Sequence, residues 1–327
     1  MKAVLCKAYG PPESLVVEDV ASPVPGPGEV VISVKAAGVN FPDVLIIQNK
    51  YQVKPPLPFS PGSEVAGVIK DVGEGVTAFK PGDPVMAITG YGGFAQEVKA
   101  EARRVLKQPP SMDSVTAAAF GLAYATSDHA IRDRGELKRD EMLLVLGAAG
   151  GVGLAAIEIG KAVSARVIAC ASSDDKLAVC RKHGADATIN YATEDLRERI
   201  KELTAGAGPD VIYDPVGGPF TEPALRSIAW RGRLLVVGFA AGDIPKIPLN
   251  LMLLKGCSIV GVYWGDFARR EPARFAASMD QLARWHAEGR IKPRVSATFP
   301  LERAAEALQL MSDRKVSGKL VLTTHSA

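Results

Sequence analysis

"LLVLGAAGGVGLAAIEIG", Leu143 to Gly160, decides the fold. An aliphatic run breaks into glycines and alanines, and apolar residues then return at helical spacing. Val152, Ala155, Ala156, Ile159 and Val163 follow the i, i+3, i+4, i+7 pattern of one helix face. Strand, small-residue turn, helix is the order in which a chain offers its backbone to a diphosphate. Ala148, Gly150 and Gly153 fill the three small positions of a G-x-G-x-x-G fingerprint, with alanine in the first. The first allows the tight turn, the second lets the backbone approach a pyrophosphate, and the third lets helix and strand pack closely. Gly151 and Val152 then open the helix, where N–H groups without intrahelical acceptors favour an anion.

Downstream the same rhythm repeats. "RVIACA" (166–171), "ATI" (187–189), "DVIYDPV" (210–216), "GRLLVVG" (232–238) and "CSIVGVYW" (257–264) read as strands, with helices between them. Ser173 is expected to cap the helix that starts near Asp174, and Gly184 to end it. An amphipathic helix is expected from Phe275 to Glu288, and "GKLVLT" as a last strand. Aliphatic strands alternating with helices predict a parallel sheet covered on both faces. Upstream, to about Arg104, short alternating runs sit between Gly and Pro turns, as in "VGEGVTAFKPGDPV" (72–85), which predicts a compact β-rich domain. The fold class is therefore α/β: a Rossmann-type doubly wound parallel sheet plus a compact β-rich domain.

The end of the second strand selects the dinucleotide. A site for NAD places Asp or Glu there, about 20 residues after the fingerprint, to hold the ribose 2′-OH. This chain has Ala171, Ser172 and Ser173 in "CASSDDK". Small hydroxyl residues leave room for a 2′-phosphate, and Lys176 is close enough in sequence to set a positive charge beside it. The expected cofactor is NADPH. Asp174 and Asp175 read as first-turn helix acids, favoured by the helix dipole.

Composition excludes several other classes. The 327 residues are 47% hydrophobic and 23% charged, with a net charge of +3, and basic residues alternate with acids as in "EDLRERIKEL". That pattern marks a solvated helix face and predicts no nucleic-acid partner. No stretch approaches the roughly 20 apolar residues of a membrane span, and "MKAVLCKAYG" has no signal-peptide pattern. Cys6, Cys170, Cys180 and Cys257 form no CxxC pair and are expected to be buried thiols in a reducing, cytoplasmic compartment. His129, His183, His286 and His325 match no ligand spacing and are read as ordinary surface or core residues.

Further motifs carry a family likeness: "AAGVNFPD" (36–43), "PFSPGSEVAGVI" (58–69), "AAGGVG" (148–153), "GADATINY" (184–191), "YDPVGG" (213–218) and "SGKLVL" (317–322). With them the chain resembles the medium-chain dehydrogenase/reductase superfamily, in its zinc-independent, zeta-crystallin-like quinone oxidoreductase group, over nearly its whole length. The resemblance implies a GroES-like catalytic domain at 1–120, completed by 261–327, and a Rossmann domain at 121–260. Zinc enzymes of the superfamily carry Cys where this chain has Asn40 and His where it has Ser63, so no metal is expected. Glu64, an acid beside the lost metal, is read as structural.

The likeness also implies roles. Asn40 and Tyr51 line the pocket beside the nicotinamide and are the catalytic candidates, each able to offer a hydrogen bond to a developing oxyanion. Asn40 as a local turn residue and Tyr51 as a packing aromatic are the alternatives. Thr126, Gly238, Phe239, Trp264 and Lys319 join the cofactor contacts, as does Tyr191 with Lys176 at the adenosine phosphate; Trp264 is also a candidate wall for a flat acceptor. Leu45 stands where the group often has a second Tyr, which makes the pocket more apolar. The expected reaction is hydride transfer from NADPH to quinones or other conjugated carbonyls. An enoyl-thioester reductase is the alternative, because it shares Asn40, Asp43 and, eight residues on, Tyr51. A non-catalytic NADPH-binding protein is a third reading. A homodimer is expected, with "CSIVGVY" as its edge strand.

Overall fold

The computed structural model describes residues 1–324. The chain divides into two compact units, Met1–Leu122 with Pro293–Ala327, and Ala123–Lys292.

The first unit is built on one long strand, Glu29–Val39, which pairs antiparallel with Glu64–Val72, Glu97–Glu101 and Lys319–Thr323. Its register against Glu64–Val72 shifts at Val31/Ile32 and again at Val34/Ala36. Such bulges bend and twist a strand, so it can serve neighbours facing different ways. Its seven-stranded sheet runs on through Pro84–Ile88 and Val105–Lys107 at one side and Val295–Pro300 at the other. Val30, Ile32, Val34, Ile69, Val85, Phe94, Leu320 and Leu322 are buried in its core. Gly38 matters here because a Cβ on it would lie 2.0 Å from the Ala118 carbonyl oxygen and 2.5 Å from Glu64 Oε1. Its bare backbone lets the helix Ser114–Ala118 and the Glu64 side chain close in on the strand.

The second unit holds a six-stranded parallel sheet in the spatial order Ala187–Asn190, Arg166–Ala171, Met142–Val145, Val211–Asp214, Arg233–Val236, Ser258–Gly261. The first strand in sequence sits inside the sheet. Succeeding strands run outward on one side, then return and run outward on the other. The reversal point lies between Met142–Val145 and Val211–Asp214, where open α/β sheets bind ligands at the carboxyl ends of their strands. Leu143, Leu144 and Val145 are fully buried, as a strand covered on both faces requires.

The first boundary falls two residues from the expected one, but the second falls later than 260. The segment to Lys292 belongs to the second unit. Its helix, Pro272–Ala287, is tied there by named contacts. Ser278 Oγ donates to Asp128 Oδ2 at 2.6 Å, and the guanidinium groups of Arg132 and Arg290 each lie over the Trp285 ring, 5.1 and 5.2 Å from its centroid. Lys292 N donates to Glu158 Oε2 at 2.9 Å before the chain leaves. The strand Ser258–Gly261 ends the sheet and is an edge strand.

Candidate functional site

The glycine turn is shaped by two close approaches. Gly150 caps the helix Gly151–Ala162. A Cβ on Gly153 would lie 2.5 Å from the Gly147 carbonyl oxygen and 2.6 Å from that of Ala148, so only glycine lets the helix sit this close to the strand. A Cβ on Gly150 would meet only the Gly147 carbonyl oxygen, at 3.5 Å, so the turn is open on that side. Ala148 is buried, its N–H donating to the Cys170 carbonyl at 2.9 Å. The first-turn N–H groups of Gly151, Val152 and Gly153 have no intrahelical acceptor. Behind the turn, Ser127 Oγ donates to the Val152 carbonyl at 2.9 Å, beside the half-buried Thr126.

At the end of the second strand the hydroxyl and the ammonium meet. Lys176 Nζ donates to Ser172 Oγ at 3.2 Å, while Ser173 caps the next helix by accepting from Lys176 N. Asp174, also in the first turn, accepts from Asn190 Nδ2 at 3.0 Å and is thereby drawn to the neighbouring strand. Tyr191 packs its ring on Phe220, centroids 4.3 Å apart. Gly238 and Phe239 follow the fifth strand, and Trp264 follows the sixth. All these candidates therefore lie past the carboxyl ends of strands in one sheet.

Two acids here went unremarked in the sequence. Asp214 accepts from the N–H groups of Val216 and Gly217, at 2.9 and 2.8 Å, and from Thr221 Oγ1 at 2.6 Å, so it folds the loop after the fourth strand. An Asp ahead of Pro-Val-Gly-Gly is the signal for such a turn. Glu158 is buried in the helix after the glycine turn and accepts from Tyr124 Oη at 2.6 Å and Lys292 N at 2.9 Å. Its other oxygen lies 2.7 Å from His183 Nδ1. Its signal was a lone acid in an otherwise apolar run.

The first unit brings Asn40, Ser63, Glu64 and Lys319 together. Lys319 Nζ donates to Glu64 Oε1 and to Asn40 Oδ1. Asn40 Nδ2 donates to Glu64 Oε1 at 3.0 Å and has Gly38 O and Ser63 Oγ at 3.3 and 3.4 Å. Both ends of the amide are thus engaged within the unit. That employment differs from the expected donation to an oxyanion or ribose, because both amide hydrogens already face acceptors. Lys319, expected at the cofactor, spends its ammonium on the same cluster. Glu64 is also held from its second oxygen, which accepts from Leu122 N at 2.8 Å. Asp43 joins the cluster by accepting from Asn40 N at 2.8 Å. Burial pushes its carboxyl up to about 7, against the pull of that hydrogen bond and of the Lys319 charge. Tyr51 is half-buried against the same unit's core.

Among the described residues no group of His, Cys, Asp and Glu is arranged to hold a metal ion. The four cysteines are free and buried, and burial raises their thiol pKa values, that of Cys180 to about 12. His129 stacks on Phe267 with centroids 3.9 Å apart, and desolvation lowers its pKa. His325 lies outside the described residues. No helix among them is long and apolar enough to cross a membrane.

Two family models match the chain: "Alcohol dehydrogenase GroES-like domain" over residues 26–110 and "Zinc-binding dehydrogenase" over 151–284. A quinone oxidoreductase-like protein 2 homolog of Nematostella vectensis is 39% identical over 326 residues, 99% of this chain and 89% of that protein. The structure of a probable oxidoreductase from Mycobacterium abscessus is 40% identical with a TM-score of 0.90, covering 99% of this chain and 98% of that one. The quinone oxidoreductase of Escherichia coli, solved in complex with NADPH, is 30% identical with a TM-score of 0.93, covering 99% of this chain and 100% of that one.

Proposed function

The chain belongs to the quinone oxidoreductase group of the medium-chain dehydrogenase/reductase superfamily, and on that premise we propose that it is an NADPH-dependent reductase of quinones or other conjugated carbonyl compounds. The observation that carries the reading is the meeting of Lys176 Nζ with Ser172 Oγ at the end of the second strand, in a sheet whose first strand ends in the glycine turn. Together they offer a cation and a hydroxyl where an NAD site would place an acid.

The residues present fit the cofactor. The open face at Gly150 and the first-turn N–H groups of Gly151, Val152 and Gly153 would receive the diphosphate. Ser172 and Lys176 would hold the 2′-phosphate, and Tyr191 would cover the adenosine end. Thr126, Gly238 and Phe239 would line the nicotinamide. Bound NADPH supplies a hydride, and a conjugated carbonyl accepts it by moving charge onto its oxygen. The cluster of Asn40, Glu64 and Lys319 holds its own geometry through internal bonds, and Tyr51, half-buried on the core of the same unit, would offer its phenol.

We place the protein in the cytoplasm on the strength of its four buried free thiols. We also infer a homodimer formed through the edge strand Ser258–Gly261.

NADPH oxidation is followed with 1,4-benzoquinone, 9,10-phenanthrenequinone, crotonyl-CoA and an alkenal. Turnover of the quinones or the alkenal is expected. Tight NADPH binding with no oxidation by any of them leaves a binding protein instead. Loss of crotonyl-CoA turnover alone in Tyr51→Phe indicates thioester chemistry. Lys176→Ala is expected to weaken NADPH about tenfold while leaving NADH unchanged; equal affinities for both cofactors in the parent overturn the assignment of NADPH.

A further inference from the structure

Tyr213 is the largest of the fully buried side chains among the described residues, and it stands inside the apolar strand Val211–Asp214. Its phenol oxygen lies 2.9 Å from Ser127 Oγ, and both residues are 0% exposed. Ser127 Oγ has one hydrogen and gives it to the Val152 carbonyl at 2.9 Å. The phenol therefore supplies the hydrogen between the two hydroxyls. The bonds run one way, from Tyr213 through Ser127 to the first turn of the helix Gly151–Ala162. Hydrogen bonds in such a chain polarise and strengthen one another.

The backbone of Tyr213 acts on the other side of the same turn. Its carbonyl accepts from Leu146 N at 3.0 Å. The glycine turn lies between Leu146 and Val152, so one residue holds the chain just before the turn and, through Ser127, just after it. The carbonyl that Ser127 grips belongs to the peptide unit whose N–H is that of Gly153, one of the first-turn donors without an intrahelical acceptor. Ser127 also follows Thr126 in the helix Gly121–Asp128, so the same bond ties that helix to the turn. Tyr213, Ser127 and Val152 all belong to the second unit.

Stability gives no reason for two hydroxyls in this place. Phe and Ala would fill nearly the same volume, and replacing both partners of a buried hydrogen bond by apolar groups of like shape is close to neutral. What the hydroxyls add is direction. We infer that Tyr213 and Ser127 are positioning residues for the dinucleotide's diphosphate, fixing the glycine turn from both of its ends so that its free N–H groups receive the anion without rearranging. A site already in its bound form loses less freedom on binding and so binds more tightly. The inference rests on the dinucleotide of the reductase reading and on nothing about its acceptor.

The parent, Tyr213→Phe, and Tyr213→Phe combined with Ser127→Ala are titrated with NADPH and with adenosine 2′-monophosphate. The monophosphate carries the adenosine end and the 2′ group but no diphosphate, so only NADPH reads the turn. The double variant is expected to keep a Tm close to parental and to bind NADPH about tenfold more weakly, and Tyr213→Phe about threefold, the range one hydrogen bond spans. Affinity for the monophosphate is expected to be unchanged in both. A double variant that loses monophosphate and NADPH affinity in step shows a general loosening of the unit and overturns the inference. Parental NADPH affinity in Tyr213→Phe overturns it too, whether or not the double variant folds. A parent that binds NADPH, with the expected losses in its variants, yet oxidises it with no acceptor defeats the reductase reading and leaves this inference standing. A parent that does not bind NADPH overturns both.

Discussion

Lys319 Nζ lies 2.5 Å from Glu64 Oε1, with the two side chains only 5% and 2% exposed. A single ammonium at this place neutralises a buried acid that stands next to Ser63. Removing one member of such a pair is far more harmful than removing both, because an uncompensated buried charge remains. Lys319→Met is expected to destabilise the chain by about 3–5 kcal/mol in urea unfolding. Adding Glu64→Gln should recover a substantial part of that loss. A double variant as unstable as Lys319→Met alone would show that the pair's charge is not what holds the cluster together.

Asp43 gives the cluster a pH dependence with a definite sign. Its folded pKa, about 7, lies above the ordinary 3.8, chiefly because the carboxyl is desolvated. Between those values the folded chain keeps a proton that the unfolded chain releases. Its contribution is complete below the lower value, declines as pH rises through the interval, and is flat above about 7. Urea midpoints of the parent are expected to fall across this window relative to those of Asp43→Asn, whose amide oxygen can still accept from Asn40 N. Identical pH profiles for the two proteins would place the Asp43 pKa back near its ordinary value.

The two glycines of the turn are expected to fail differently. Gly153→Ala forces a methyl to within 2.6 Å of two carbonyl oxygens, so the helix must leave the strand and Tm should fall. Gly150→Ala meets one carbonyl oxygen at an ordinary 3.5 Å, so folding should survive. Its methyl would occupy the side from which a diphosphate approaches. A parental Tm with NADPH affinity at least tenfold weaker is the expected result for Gly150→Ala, read by thermal denaturation and by quenching of protein fluorescence. Parental affinity in that variant would move the diphosphate elsewhere.

Much of the second unit was legible because local pattern and tertiary demand coincide there. "RVIACA" is a strand over its whole predicted length because alternate faces of a parallel strand are both buried. The last helix of the unit starts at Pro272 rather than Phe275 because a proline at the first position suits a helix and breaks no bond. The domain boundary near 260 was not legible. The bonds that hold residues 261–292 to the second unit, from Ser278 to Asp128 and from Lys292 to Glu158, join positions far apart in sequence. The same distance hid the cluster of Asn40, Glu64 and Lys319. The family likeness marked Asn40 and Lys319 as site candidates and Glu64 as structural, but only the fold shows that they satisfy one another.

The edge of the second unit's sheet is apolar where an edge exposed to water should not be. Trp230, Leu249, Leu253 and Leu254 are 70%, 80%, 81% and 68% exposed. They are neighbours in space as well: Arg231 N donates to the Lys255 carbonyl at 3.0 Å, and Gly256, in the left-handed region, ends the helix Asn250–Lys255 against the Trp230 ring. Ile259 and Tyr263 extend the patch along the edge strand. Singly exposed apolar residues are ordinary, but a contiguous group beside an unpaired strand edge marks an association surface. A second copy of the chain can pair its own edge strand across a two-fold axis and cover both patches at once. Sedimentation equilibrium of the parent should give twice the chain mass. Leu253→Asp with Leu254→Asp should give the monomer mass with an unchanged circular dichroism spectrum, because neither side chain supports the core of its own unit. A double variant that stays dimeric would move the interface away from this edge.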